Sequence, residues 1–223
     1  EIGRAKREEG VPVYDPVRER EVLAKVAALN NGPLGEQTLH RIYREIISAA
    51  VQLQQPLRVA YLGPEGTFTQ QAALRNFGSS VGLVDCPTIP DVFASVSRGE
   101  ADYGVVPVEN SIHGSVFMTL DQLVDSDLRI QAEVFLKIEH CLLSNDEPGA
   151  IRRVYSKDQA FGQCRAWLLA NLPGAEWIEV DSTAAAAQRA ASEPGTAAIG
   201  SEAASVVAGI PIRARGIQDG SDN

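Results

Sequence analysis

Hydrophobic residues along this chain follow two rhythms. Through residue 55 they recur every three or four positions; from 58 onward, short β-branched runs alternate with helical stretches. Asp15-Pro16 joins a helix-capping carboxylate to a proline suited to the first helical position. Val17, Val22, Leu23, Val26 and Leu29 then mark one face of a helix that stops at Asn30-Asn31-Gly32-Pro33. A second helix is predicted over 35–55, with Leu39, Ile42, Tyr43, Ile46, Ile47, Ala50 and Leu53 as its stripe. Two such helices cannot close a core alone, so a partner chain or further residues are expected to cover them.

Strands are predicted over 58–62, 83–86, 102–108, 154–156, 177–180 and 197–200, with helices over 68–77, 89–98, 116–125, 157–169, 183–191 and after 201. Ser115 and Ser182 read as caps. Such alternation predicts largely parallel sheets covered by helices. Residues 128–143 read as extended and long enough to cross between two sets of units. Two lobes with a cleft between them are therefore expected.

In α/β proteins, ligand groups gather beyond the carboxyl ends of the strands. Val105-Val106-Pro107-Val108-Glu109-Asn110-Ser111 is a strand stopped by proline and followed at once by Glu109, Asn110 and Ser111. Gly63-Pro64-Glu65-Gly66-Thr67-Phe68 leads from a strand into a helix, either as a plain tight turn or as a loop whose amides converge on an anion. In the helical segment Asp15, Arg18 and Glu19 stand at i, i+3 and i+4 on one face. Gln54 lies in line with Ile47 and Tyr43 and must find polar partners there. A surface salt-bridge trio and a satisfied core amide are the alternative readings of those four residues.

Charge and composition narrow the classes. The 44% hydrophobic and 22% charged content suits a soluble globular protein, and no apolar run approaches the ~18 residues of a membrane span. Residues 1–55 hold 8 basic and 8 acidic side chains, whereas 56–223 hold 12 and 21, so the whole net charge of −9 lies in the second part. A net-negative body without a basic run argues against nucleic acid but leaves room for a small anion held by local donors. Cys86, Cys141 and Cys164 lack the spacing of a disulfide scaffold or a metal site, which suggests a reduced, cytoplasmic setting.

Two resemblances enter here. Gly3-x-Ala5-Lys6 with Val13-Tyr14-Asp15-Pro16-Val17-Arg18-Glu19-Arg20-Glu21 resembles the all-helical chorismate mutase family. By that resemblance Lys6 and Gln54 hydrogen-bond the ether oxygen of chorismate as its C–O bond breaks. Asp15 and Glu19 hold the ring hydroxyl, and Arg18 supports the site or a carboxylate. Such a rearrangement needs a compact conformer and stabilised charge, with no nucleophile. Ala50 stands where that family often has serine.

From 57 onward, Gly63-Pro64-Glu65-Gly66-Thr67-Phe68, Val106-Pro107-Val108-Glu109-Asn110-Ser111 and His140-Cys141-Leu142-Leu143 resemble the prephenate dehydratase family in order. So do Val154-Tyr155-Ser156 with Gln163-Cys164, Ser182-Thr183-Ala184-Ala185-Ala186, Ala197-Ala198-Ile199-Gly200-Ser201-Glu202-Ala203-Ala204 and Ile217-Gln218-Asp219. The tandem resembles the bacterial bifunctional chorismate mutase–prephenate dehydratases. It implies an α/β two-lobed, periplasmic-binding-protein-like dehydratase domain over 57–223, preceded by part of an all-α mutase domain over 1–55. Lobe one is expected over about 57–134 plus 205–223, and lobe two over about 135–204.

By the same resemblance Glu109 and Asn110 are catalytic, and Gly66, Thr67, Phe68, Ser111, Ser156 and Gln163 bind substrate. The implied substrates are chorismate and prephenate, with no metal or organic cofactor and a homodimer as the assembly. His113 reads as loop surface, and Lys157 stands where relatives often have histidine. A threonine in the family's Asn-x-Thr-Arg-Phe motif and a phenylalanine-sensing ACT domain are expected beyond residue 223, and the mutase's carboxylate-binding arginines before residue 1. These 223 residues alone are thus expected to run either reaction poorly. A non-catalytic two-lobed binding module and an arogenate dehydratase remain as alternatives.

Overall fold

In the computed structural model, which describes residues 14–111 and 114–220, Asp15 starts the first helix as its sequence suggests. Its carboxylate accepts the Val17 and Arg18 amides at 2.9 and 3.1 Å, and Pro16 occupies the first position of α1 (Pro16–Ala28). A turn over 29–35 leads to α2 (Glu36–Gln54), which packs back along α1.

These two helices close their core on the α/β body. Tyr14, Ile47 and Val51 share one apolar cluster with Val59, Tyr61, Ala73 and Phe77. Arg44 donates to the Arg75 carbonyl at 2.7 Å, and the Glu45 carboxylate accepts the Ser79 amide and hydroxyl at 3.1 and 2.5 Å. The first lobe thus supplies part of the core that was expected from a partner chain or further residues, and the rest of the helices' apolar surface stays exposed. The single stripe predicted for α2 also divides. Ile47 and Val51 face the lobe, whereas Ile42, Ile46 and Leu53 point to solvent.

Lobe one follows as β1 (Arg58–Leu62), α3 (Phe68–Phe77), β2 (Gly82–Cys86), α4 (Ile89–Ser97) and β3 (Tyr103–Val105), a parallel sheet in the order β2-β1-β3. The two-residue strands β4 (Glu109–Asn110) and β5 (Gly114–Ser115) pair antiparallel, and α5 (Phe117–Asp125) ends the lobe. The α5 cap position falls to Val116, with no side-chain cap, rather than to Ser115. Of the predicted extended stretch, only β6 (Cys141–Leu143) enters a ladder.

Lobe two adds β7 (Arg153–Ser156), α6 (Asp158–Gln163), α7 (Arg165–Asn171), β8 (Glu176–Glu179), α8 (Thr183–Ser192), β9 (Thr196–Gly200), α9 (Glu202–Ala208) and β10 (Ile212–Arg215). Cys164 breaks the helix expected over 157–169 into α6 and α7. The sheet order is β10-β6-β9-β7-β8; β7, β8 and β9 run parallel, while β6 runs antiparallel to both its neighbours.

This changes the expected division of the chain, which sent 205–223 back to lobe one. β10 pairs with β6, Ile210 and Ile217 are buried in the lobe-two core, and the Asp219 carboxylate accepts the Ala166 and Trp167 amides at 2.8 and 3.1 Å. The free edge of β6 takes the last strand, so residues 205–219 stay with lobe two.

Both lobes share one winding. The chain leaves β1 for β2 on one side and returns to β3 on the other; β7, β8 and β9 repeat this order. Each sheet therefore has a switch point, where the loops after the two central strands part and leave a crevice.

Candidate functional site

The crevice of lobe one lies between the loop after β1, residues 63–67, and the stretch after β3, residues 106–111. That of lobe two lies between the ends of β7 and β9, at Ser156 and at Gly200-Ser201. The two crevices meet. Ser201 Oγ donates to the Gly66 carbonyl at 2.9 Å, joining residues 135 positions apart.

The first loop is held from several sides. Gly66 N donates to Gln70 Oε1 at 2.7 Å, and Thr67 Oγ1 donates to the Leu62 carbonyl at 3.1 Å while capping α3 through the Gln70 amide. Gly66 has φ +86°, and a Cβ there would lie 3.1 Å from Ala204 Cα, so the close approach of α9 and the backbone both call for glycine. Phe68 opens α3 with its ring edge-on to His140, centroids 5.6 Å apart.

His140, on the segment that crosses between lobes, is 3% exposed. Its Nε2 lies 2.5 Å from Gln163 Oε1. An amide oxygen only accepts, so Nε2 carries the proton and Nδ1 holds a buried lone pair with no hydrogen-bond partner among the described residues. Burial lowers the His140 pKa below its ordinary 6.5, and the bond to Gln163 offsets part of that shift. Gln163 in turn accepts the Asp219 amide on its own carbonyl at 2.7 Å, and Gln218 Oε1 accepts the His140 amide at 3.0 Å.

A small cavity of about 100 Å³ opens beside Phe68, with Gln71 on the lobe-one side, Lys137 and Glu139 on the crossing segment, and Glu202 and Arg215 on the other. Glu202 and Arg215 are paired at 2.8 Å, and that bond holds the Glu202 carboxyl below its ordinary pKa. Among the described residues no group of three or more His, Cys, Asp or Glu side chains is placed to hold a metal ion.

The expected dehydratase residues thus divide. Gly66, Thr67 and Phe68 lie at the junction of the crevices, and Gln163 reaches it through His140. Ser156 is fully buried, and its hydroxyl donates to the Ile199 carbonyl at 3.0 Å, tying β7 to β9. Glu109, Asn110 and Ser111 flank the lobe-one crevice on the β4 side. Their stretch is anchored by Thr119 Oγ1 on the Pro107 carbonyl at 2.7 Å and by the Val116 amide on the Val108 carbonyl at 2.8 Å. His113 lies outside the described residues.

Comparison with known proteins decides what this junction belongs to. The prephenate dehydratase family's sequence model matches residues 59–223, and that of chorismate mutase type II matches residues 1–55. The chain belongs to the prephenate dehydratase family. It is 45% identical to a bifunctional chorismate mutase/prephenate dehydratase of Aquifex aeolicus, covering 100% of this chain and 63% of that one. A Stutzerimonas stutzeri protein of the same description is 46% identical over 96% of this chain and 59% of its own. The chain therefore spans about three-fifths of the length of the curated relatives it matches. Among solved structures, the Arthrobacter aurescens prephenate dehydratase in complex with L-Phe superposes with a TM-score of 0.70, at 32% identity over 75% of this chain and 57% of that one. A structure titled as a quorum-quenching acylase, GqqA, superposes at 0.66 with 26% identity, over 73% of this chain and 60% of its own.

Outside the dehydratase-family region, the expected mutase residues that lie among the described ones have the following partners. Asp15 caps α1, Arg18 pairs with Glu21 at 2.9 Å on the surface, and Gln54 donates to the Ala50 carbonyl at 2.9 Å. Glu19 is buried against Arg44 at 3.2 Å and bonded to the Tyr14 side chain. Burial, with Glu19 beside it, pushes the Tyr14 pKa well up. Lys6 lies outside the described residues.

Sequence reasoning missed Ser201, Gln70 and His140 as members of the dehydratase junction. Ser201 had a signal: a serine directly after a buried strand and before a helix is a cap at a switch point. His140 stood in a motif shared with the family, but its pairing with Gln163, 23 residues away, had no signal, and Gln70 carried none as the partner of the Gly66 amide.

Proposed function

We propose that the protein dehydrates and decarboxylates prephenate to phenylpyruvate in phenylalanine biosynthesis, and that its helical segment belongs to a chorismate mutase activity that supplies the prephenate. The observation that carries the dehydratase reading is the meeting of two switch-point crevices at Gly66 and Ser201, inside the region that matches the dehydratase family. In the reaction the ring carboxylate leaves as CO2, and its bonding electrons flow into the ring and expel the hydroxyl, which takes a proton and departs as water. Aromatisation drives the step. The protein's task is to hold the dianion in line and to assist hydroxide departure.

The Thr67 and Phe68 amides suit a carboxylate, the Gly66 amide and the Thr67 hydroxyl being held by Gln70 and the Leu62 carbonyl, and Glu109, Asn110 and Ser111 close the opposite wall. Ser156 and Gln163 act from behind, as braces of the lobe-two wall. The mutase reading is carried by the match over 1–55, with Lys6, Asp15, Arg18, Glu19 and Gln54 in the roles the family suggests.

The assembly is a homodimer in this reading. Leu39, Ile42, Ile46, Ala49 and Leu53 repeat with heptad a/d spacing along the outer side of α2, and Ile46 and Leu53 are 58% and 90% exposed. Such a seam complements itself. Three free, buried cysteines suit the reducing cytoplasm.

Incubating the full-length protein with prephenate and following phenylpyruvate tests the central claim, and arogenate run in parallel separates the two dehydratase readings. Tight binding of prephenate without turnover would hand the cleft to the binding-module reading.

A further inference from the structure

The Ser201 hydroxyl makes two bonds that belong to different jobs. It accepts the Ala204 amide at 3.0 Å, as the N-cap of α9, and it donates to the Gly66 carbonyl of the other lobe at 2.9 Å. Ser201 is 1% exposed, so both bonds are sealed from water. On the far side of the same glycine, Gly66 N donates to Gln70 of the helix that follows, at 2.7 Å. Gly66, which leads into Thr67 and Phe68, is thus fixed by lobe one at its amide and by lobe two at its carbonyl. Ser201 is itself well placed to hold, since Ser156 ties β7 to Ile199, two residues before it, and Ala204 packs on Gly66.

We propose that Ser201 is a positioning residue for the dehydration: a latch that keeps the Gly66–Phe68 loop against lobe two and so sets the population of the closed cleft. This rests on the dehydratase reading. A cleft that binds substrate only when closed weakens its apparent affinity by the fraction of time it stands open. A buried hydrogen bond between neutral groups shifts such a balance by roughly two- to tenfold. Once substrate has closed the lobes, the same chemistry follows. Loss of the latch therefore raises KM by roughly that factor while kcat changes by less than about twofold.

Two substitutions separate the latch from the cap. Glycine is nearly as good an N-cap as serine and alanine is a poor one, but neither can donate to Gly66. In the full-length protein, Ser201→Gly and Ser201→Ala are expected to raise the KM for prephenate alike, and only Ser201→Ala to lower the melting temperature appreciably. Hydrogen exchange of the 63–68 amides, measured without substrate, is expected to quicken in both. A KM and an exchange rate left unchanged in Ser201→Gly overturn the latch and leave Ser201 as a cap alone. If the unmodified protein does not turn prephenate over, the dehydratase reading fails, while the exchange comparison still reports on the latch.

Discussion

His140 concentrates the residue-scale chemistry of this fold. A neutral imidazole with its Nε2 proton given to Gln163 satisfies half its polarity, and burial opposes adding a second proton. Its folded pKa is below the ordinary 6.5, so in the window between the two values the unfolded chain binds the proton and the folded one does not. The stabilising effect of keeping His140 neutral is complete above pH 6.5 and drains away as the pH falls toward the folded value, at up to about 1.4 kcal/mol per pH unit. Urea unfolding at a series of pH values from 7.5 to 5, repeated with His140→Gln, measures this. The variant is expected to lose stability less steeply on acidification; equal slopes would place the titrating group elsewhere. The Cys164 thiol beside this region is pushed up to about 12, by burial first and then by Asp219, so it stays a thiol across the same range.

At the scale of elements, α3 is the member that ties the parts together. Its N-terminus carries Thr67 and Phe68 into the crevice, and its C-terminal end meets α2, where Gly78 lies under Ser48. A Cβ on Gly78 would come 2.5 Å from Ser48 Cβ, and its φ of +79° with ψ of −179° is a region that other residues hardly enter. Gly78→Ala is expected to lower stability by about 1–3 kcal/mol from the backbone alone, with the displaced Ser48 adding to it. Thermal melting reads the loss, and a cost within about 0.5 kcal/mol of zero would mean that α2 rides loosely on the lobe. The helices and parallel strands were legible because each rests on local signals: the Asp15-Pro16 start, the apolar run at 59–62, and the serine cap at 182. The path of β10 was not, because pairing with β6 depends on which edge stands free, about 70 residues earlier in the chain. Nor was the role of Ser156, since a hydroxyl at a strand end reads the same whether it meets a ligand or the Ile199 carbonyl.

For the whole molecule, α2 is apolar on two nearly opposite sides, and only one of them is used within the chain. Arg44, Ile47, Ser48 and Val51 face lobe one, whereas Leu39, Ile42, Ile46, Ala49 and Leu53 lie about half a turn away. An a/d seam of this kind buries little unless a matching helix lies along it, and a second α2 matches by symmetry. Ile46 sits at its centre and makes no part of the lobe-one core. Ile46→Glu is therefore expected to leave the melting of the isolated chain within about 0.5 kcal/mol of the unmodified one, yet to shift a dimer to monomer in sedimentation. A charge at a central a position confronts its own copy across the seam, and like charges in a desolvated interface cost several kcal/mol. Dehydratase turnover should survive the change, because the crevice junction at Gly66 and Ser201 lies wholly within one chain. Mutase turnover, if it draws on groups from both copies, should fall with the dimer. An Ile46→Glu protein that still sediments as a dimer would move the interface off α2, to another apolar surface such as the exposed Phe117 and Val124 of α5.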